Sequence, residues 1–274
     1  RRSAATISLM SSSRNNGNDA SIIDKISRAL GIARSLEEYS PLPSNSDAKE
    51  DDPSKSQGRV VRTAARPRQS SGGSIPSSPR YTTRKPSLPF VVVSEGGVSG
   101  DYNHYRTAAL QSTTDRAISI LTGDVGSYVR SLDGVPFSEE IGKGYRDGDL
   151  GENVLVEGVD FGFFRVGERY RFSPASSRKG GGDVDGVTTT NASAEEEDVI
   201  VEITEPMEPC ANLCKLPFIN DPSLSVMPKE RLARCRFFIE ALGRQDGLRG
   251  WYAKVVQGGV VRVGDSLSLL ALGS

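Results

Sequence analysis

The sequence predicts a mainly β fold with a few helices, closed on itself as a β-barrel. Short apolar runs rich in Val and Ile recur between residues 60 and 270, and glycine-rich turns separate them. Only 227–242 has the apolar spacing of a long helix. The hydrophobic fraction of 36% in 274 residues is low, which indicates that part of the chain lies outside the folded core.

Residues 1–57 are predicted to be a disordered or targeting extension. The first 19 residues are rich in Ser, Asn and Arg and contain one acid, Asp19, as does the tail of an organelle transit peptide. A disordered terminus explains the same composition equally well. Apolar residues at helical spacing between Ile22 and Ala33 predict one short helix at about 21–38.

Residues 58–272 are interpreted as one barrel domain. Val60, Val61 and Thr63 predict its first strand, and a β-branched run predicts later strands at 90–93, 118–121, 154–156, 199–203, 250–256, 260–263 and 266–270. Within 161–172, Val166-Gly167-Glu168 predicts the turn of a hairpin. Helices are predicted at about 125–132 and at 227–242, and the low-complexity residues 173–197 are expected to be a flexible insertion.

The strand at 199–203 leads to the residue that attracts most interest, Cys210. Val199, Val201 and Ile203 alternate with polar residues, and Pro206 and Pro209 end the ladder because proline has no N–H to donate. The cysteine is therefore expected on a stiff turn at a strand end, where it can bind a soft metal or carry sulfur. An inert buried thiol is an equally open interpretation.

Charge and cysteine content restrict the class of partner and compartment. Lys and Arg number 34 against 35 Asp and Glu, so no bulk charge favours nucleic acid. The basic stretch 58–89 lacks the interleaved aromatics of a nucleic-acid arm. No apolar run reaches the roughly 20 residues of a membrane span. Three cysteines indicate an intracellular, reducing compartment, with organelle import possible, and argue against a disulfide scaffold.

Common catalytic and metal chemistries find little support. Cys210 and Cys214 are spaced as zinc ligands, but one further cysteine and one distant histidine, His104, do not complete a four-ligand site. No G-x-S-x-G motif is present. A single thiolate suffices only when a cofactor supplies the other ligands. An anionic cofactor would need basic side chains and free backbone N–H groups, which the Gly96–Gly100 turn and the Arg66–Lys85 loop can offer, and Arg116 is expected nearby.

A set of short motifs occurs in one order along the chain: Gly97-Val98-Ser99-Gly100-Asp101, Asp115-Arg116-Ala117, Gly151-Glu152-Asn153, Val166-Gly167-Glu168, Glu208-Pro209-Cys210, Gly250-Trp251-Tyr252-Ala253-Lys254-Val255 and Val263-Gly264-Asp265. Together they resemble the MOSC domain family, named after the C-terminal domain of molybdenum cofactor sulfurases. The likeness covers about residues 97–271.

The resemblance implies a barrel of the pyruvate-kinase type, with Cys210 as molybdenum ligand or sulfur carrier. It implies a molybdenum cofactor (molybdopterin), reduction of small N-hydroxylated compounds and a separate electron-donor reductase. A non-catalytic sulfur-carrier or cofactor-handling module with a sulfur donor is the alternative. The pocket residues that the resemblance implies are Asp101, Arg116, Gly151, Glu152 and Asn153, and Gly100 of the preceding turn is predicted with them. Many members have a lysine two residues past the cysteine; here Asn212 stands at that place, and the later Lys215 is predicted as the contact without that match. Pyridoxal phosphate is expected to be a family label only, since a desulfurase domain is not expected within these 274 residues.

Overall fold

The structure is a computed structural model, and it describes residues 57–67, 82–102, 113–130, 144–175, 197–220 and 228–270. The predicted N-terminal extension with its short helix lies outside these residues, except for Gln57. His104 and most of the insertion at 173–197 lie outside them as well. The assignment of 58–272 to one domain stays a prediction.

Eleven strands and three α-helices are formed by the described residues. The strands are β1 (Gln57–Ala64), β2 (Ser87–Leu88), β3 (Phe90–Ser94), β4 (Gly97–Val98), β5 (Ile118–Thr122), β6 (Val154–Glu157), β7 (Arg169–Ser173), β8 (Val199–Pro206), β9 (Trp251–Gln257), β10 (Gly259–Arg262) and β11 (Ser266–Leu269). The helices are α1 (Gly123–Arg130), α2 (Pro217–Asn220) and α3 (Pro228–Gly243).

Seven strands close into the barrel that the sequence predicts. They pair in the order β11-β7-β8-β9-β5-β6-β1, and β1 returns to β11 with Gly58 opposite Leu267. All of these pairs are antiparallel except β5 with β6. The mainly β barrel is therefore confirmed, and closure removes the free edges that an open sheet would expose.

A smaller sheet lies beside the barrel, which the sequence did not predict. β10 pairs with β3 rather than continuing the barrel, and β3 pairs with β4, so the order is β10-β3-β4. Gly258 permits this departure, because a Cβ at that position would lie 2.7 Å from the carbonyl oxygen of Val93. The run at 260–263 is thus a strand, as expected, but in a different sheet.

Two apolar cores hold the molecule together. The first fills the barrel, where the alternation predicted for β8 buries Val199, Val201 and Ile203. The second lies between the outer face of β5–β6 and the helices, and it contains Leu121, Leu155 and Phe238 among others. The barrel wall is therefore covered on the side that carries α1 and α3.

The predicted hairpin at 161–172 is wrong in its first half. Phe161–Phe163 form a 3₁₀ turn, and only β7 follows the turn at Gly167. The cause is aromatic packing, because the adjacent rings of Phe163 and Phe164 both contact Tyr170, with centroids 5.3 and 4.9 Å away. Adjacent residues of a strand point to opposite faces and cannot share one ring in this way.

The long helix is confirmed, but its buried face differs from the predicted one. The apolar spacing of the sequence puts Leu232 on one helical face with Cys235 and Phe238, yet Leu232 is 51% exposed. The next two residues of the helix, Ala233 and Arg234, are buried instead. None of the helices in the described ranges is long and apolar enough to cross a membrane.

One disulfide is present, although the cysteine content argued against a disulfide scaffold. Cys214 is bonded to Cys235, with Cα atoms 4.9 Å apart. Cys235 is buried, as expected for a core position, and the bond fastens the 3₁₀ turn Ala211–Lys215 to α3. A single cross-link ties two neighbouring segments and leaves the barrel to be held by its apolar cores.

Candidate functional site

A cavity of about 250 Å³ opens beside the C-terminal end of β8. Its wall combines residues from six separate parts of the chain, and Cys210 is among them. The lining residues are Arg66, Thr83, Lys85, Arg116, Gly151, Met207, Glu208, Pro209, Cys210, Asn212, Arg249 and Tyr252. The cysteine thus lies at a polar cavity and not among aliphatic side chains.

Cys210 is held by the backbone on both sides of it. β8 ends at Pro206, and Cys210 is the extended N-cap of the 3₁₀ turn Ala211–Lys215, with φ −129° and ψ 159°. Its carbonyl accepts a hydrogen bond of 3.0 Å from the backbone N–H of Leu213. Its thiol is free of disulfides, partly exposed and makes no capping hydrogen bond. The sulfur is therefore available to a ligand in the cavity.

The cavity is strongly basic. Four of its lining residues are cationic, namely Arg66, Lys85, Arg116 and Arg249, and Glu208 is the single acidic residue of that lining. Cations gathered in a cleft with low-dielectric walls create a positive potential that concentrates anions. Arginine also presents paired donors that match phosphate oxygens. The wall is therefore suited to a ligand that carries phosphate or another oxyanion.

Lys85 is fixed in this wall by a buried ion pair. Its Nζ lies 2.8 Å from Oδ2 of Asp101, and the two side chains are 3% and 4% exposed. Asp101 also accepts hydrogen bonds from the backbone N–H of Arg66, at 2.8 Å, and from Nδ2 of Asn153, at 3.1 Å. Burial lowers the pKa of Lys85, and the Asp101 carboxylate opposes that effect. Asp101 and Asn153 thus act behind the wall, on the residues that form it.

Arg116 joins the opposite side of the cavity. It forms an ion pair with Glu205 of β8, and its guanidinium lies 5.0 Å from the centroid of the Tyr252 ring. Such stacking holds a planar cation in one orientation. The sequence had singled out Arg116 as a phosphate partner, and the structure places it in the lining.

Gly151 and Glu152 contribute differently to the site, since Gly151 lines the cavity and Glu152 lies buried behind it. Gly151 lies in the lining with φ +91°, a conformation that favours glycine. Glu152 is fully buried behind it, where its Oε1 lies 2.9 Å from the guanidinium of Arg62. Burial raises the pKa of the Glu152 carboxyl to about 7, and the positive charge of Arg62 limits the rise. Its Oε2 has no hydrogen-bond partner in the described part of the chain.

Two predicted residues, Gly100 and Lys215, lie outside the lining. Gly100 has φ +74° and open space around its Cα, so it serves the turn after β4. Lys215 is partly buried at the end of the 3₁₀ turn that follows Cys210, and burial lowers its pKa while Cys210 raises it. Lys215 therefore interacts electrostatically with Cys210, but it does not line the cavity.

Arg249 and Tyr252 are site residues that the sequence reasoning missed. Arg249 is only 6% exposed and donates from Nη1 to the carbonyl of Glu208, two residues before the cysteine. The available signal was the arginine that directly precedes the Gly-Trp-Tyr motif. Trp251 of the same motif packs in the interior instead of lining the cavity, and its indole N–H donates to the Phe161 carbonyl at 2.9 Å.

The described residues contain no group of three or more His, Cys, Asp or Glu side chains that could hold a metal ion. Cys214, which the sequence paired with Cys210 in a zinc-like spacing, is bonded to Cys235. A metal at Cys210 would therefore take one thiolate from these parts of the protein and its other ligands from a bound molecule.

Comparisons with known proteins agree with the order of the motifs. A family model described as the MOSC domain matches residues 113–268, which is more than half of the chain. No curated protein matches the sequence significantly.

Solved structures also resemble the chain. The YUAD protein from Bacillus subtilis is 17% identical, with 78% of this chain and 95% of that chain covered and a TM-score of 0.46. YiiM from Geobacillus stearothermophilus is 16% identical, with coverage of 78% and 75% and a TM-score of 0.44. YiiM from Escherichia coli is 15% identical, with coverage of 79% and 71% and a TM-score of 0.43. On the strength of the matched family model, this chain belongs to the MOSC domain family, which is associated with molybdenum cofactor binding.

Proposed function

We propose that the protein binds a molybdenum cofactor in the basic cavity and uses it to reduce N-hydroxylated small molecules. Cys210 would ligate the metal, and a separate reductase would supply electrons. The observation that carries the proposal is the position of a partly exposed free thiol in a cavity with four cationic side chains. The association of the family with molybdenum cofactor binding points the same way.

The residues present fit such a cofactor in three respects. A thiolate is a ligand that soft and high-valent metals accept. The cations Arg66, Lys85 and Arg249 suit an anionic phosphate group. Gly151 lines the cavity without a side chain, so its backbone can approach a ligand closely.

The chemistry balances as the gain of two electrons and two protons by an N–OH group, which gives N–H and water. When bound, the cofactor would supply the two-electron redox chemistry of this reduction. The protein's own residues bind and orient: Cys210 anchors the metal end, and the cations hold the phosphate end. Tyr252 and Met207 provide the apolar part of the wall, against which an organic substrate can pack.

Metal analysis tests this proposal directly. Protein purified from cells that make the cofactor should contain molybdenum, and Cys210→Ser should lose most of it because the thiolate is removed. Ser127→Ala, an exposed position on α1, is the control and should retain the metal. Equal molybdenum in the wild type and the Cys210 variant, or none in either, would contradict the proposal.

A sulfur-carrier function is the second candidate, because the same thiol is partly exposed and makes no capping hydrogen bond. In that case Cys210 would accept a sulfane sulfur from a desulfurase and pass it on as a persulfide. Mass spectrometry of the Cys210 peptide after incubation with a desulfurase and cysteine separates the candidates. A stoichiometric gain of one sulfur atom in molybdenum-free protein would favour the carrier.

A further inference from the structure

The turn that carries Cys210 is fastened to the segment before β9. The backbone N–H of Met207 donates to the Gly250 carbonyl at 2.8 Å, and Pro206 is the register partner of Trp251. Beyond this pair of strand ends the chain reaches Cys210 through Pro209, which has no N–H to donate. The carbonyl of Glu208 is held by the side chain of Arg249. The Arg249–Glu208 hydrogen bond is thus the next contact that holds the chain between Met207 and Cys210.

The segment that presents Arg249 is itself rigid. Gly250 has φ +106°, and a Cβ there would lie 2.6 Å from the carbonyl oxygen of Ile120 in β5. Its N–H donates to the Gly247 carbonyl at 2.8 Å, and Gly247 has φ +85°. A tight turn seated against a central barrel strand gives the guanidinium a fixed base.

Packing alone does not account for an arginine at position 249. The side chain is 6% exposed, yet its Nε is buried without a hydrogen-bond partner in the described part of the chain. A methionine would fill similar space without leaving a buried donor unsatisfied, which is unfavourable. The hydrogen bond from Arg249 to the Glu208 carbonyl and the position of Arg249 in the cavity wall explain why an arginine stands here.

We propose that Arg249 is the positioning residue of Cys210: by holding the Glu208 carbonyl it fixes the turn and keeps the sulfur in the cavity. The inference deepens the proposed function, since a residue behind a metal ligand orients that ligand. It does not depend on the cofactor, because the tie to Glu208 is made by the protein alone.

The test measures the rate at which iodoacetamide alkylates Cys210 in the folded, molybdenum-free full chain. At about pH 9.5, above the ordinary thiol pKa, the rate reports access to the sulfur. Cys214 and Cys235 stay bonded if no reductant is added, and peptide mass spectrometry identifies the modified residue. The alkylation rate reports the accessibility of the Cys210 sulfur even if the protein proves to contain no molybdenum.

Arg249→Met should speed alkylation by at least about fivefold, because the turn is released. Arg249→Lys keeps a donor and should stay within about twofold of the wild type. Arg130→Met, which removes an exposed arginine of the surface pair with Asp147, is the matched control and should have no effect.

Three results would overturn the inference. These are a rate for Arg249→Met that is unchanged or slower, equal acceleration in Arg249→Lys, or equal acceleration in the Arg130 control. Should Arg249→Met fail to fold, Arg249→Gln replaces it, because its shorter amide retains polarity but cannot span to the Glu208 carbonyl. The same comparison with Arg249→Lys then decides.

Discussion

Replacement of Asp101 by Asn tests whether the cavity wall depends on a buried countercharge. Lys85 and Asp101 are 3% and 4% exposed and lie 2.8 Å apart. Asn keeps the shape of Asp and its hydrogen-bond capacity towards Asn153, but it removes the negative charge. The ammonium group would then be buried without a partner charge, which is among the most destabilising changes that a single substitution can make.

The magnitude follows from the pKa of Lys85. In the wild type, burial lowers the pKa of Lys85 from 10.5, and Asp101 is the strongest of the groups that raise the pKa. Without the Asp101 charge, the pKa of Lys85 should fall further. Lys85 can lose its proton and remain buried as a neutral amine. The cost of deprotonating a lysine of ordinary pKa near pH 7 therefore limits the loss of unfolding free energy to about 5 kcal/mol. Near pH 10 the limit falls to about 1 kcal/mol, because the unfolded lysine then loses its proton readily.

Denaturation by guanidinium chloride at several pH values is the assay. Asp101→Asn should lose about 3–5 kcal/mol near pH 7, and the loss should shrink as the pH rises, since the unfolded state binds the extra proton. Asp147→Asn, in the surface pair with Arg130, is the control and should cost less than about 1 kcal/mol.

The double variant Lys85→Met with Asp101→Asn should recover most of the stability, because neither charge remains to be buried. A loss below about 1 kcal/mol in Asp101→Asn, or a loss that does not change with pH, would refute the reasoning.

Two further predictions concern stability. The folded pKa of Glu152 is raised to about 7, so the wild type should lose up to ~3 kcal/mol of unfolding free energy as the pH rises from about 4.5 to about 7. Glu152→Gln should abolish most of that slope, and the same slope in the variant would contradict the assignment. Reduction of Cys214–Cys235, which are 21 residues apart, should lower the unfolding free energy by ~3 kcal/mol in denaturant titrations. A variant with Ser at both positions should no longer respond to reductant.

Local features of the fold were predictable because they depend on neighbouring residues. The alternation of Val199, Val201 and Ile203 identified β8, and the prolines after it placed Cys210 on a turn at a strand end. Both statements rest on side-chain period and on the missing N–H of proline. The ordered motifs then pointed to the family, because seven short motifs in one fixed order are specific even though each motif alone is weak.

Features that depend on distant contacts were not predictable from the same patterns. Nothing local in β10 indicates that it pairs with β3, where Gly259 lies opposite Val93, 166 positions away, rather than with a barrel strand. The partners of Lys85 and Arg249 are likewise fixed only by the closed fold. The family resemblance pointed to Asp101 and Asn153, but it could not show that they act from behind the wall.

The closed barrel explains how the cavity remains positive although acids are plentiful in the chain. Lys85 is neutralised from behind by Asp101, and Arg116 is paired with Glu205, which lies outside the lining. Arg249 is held instead by a backbone carbonyl, which orients the guanidinium and leaves its charge uncompensated by that contact. An anion in the cavity therefore meets cations whose orientations are already fixed, so little ordering accompanies its binding. We expect ligand affinity here to come mainly from this preorganised charge, with the Cys210 thiol as a further contact in the same cavity.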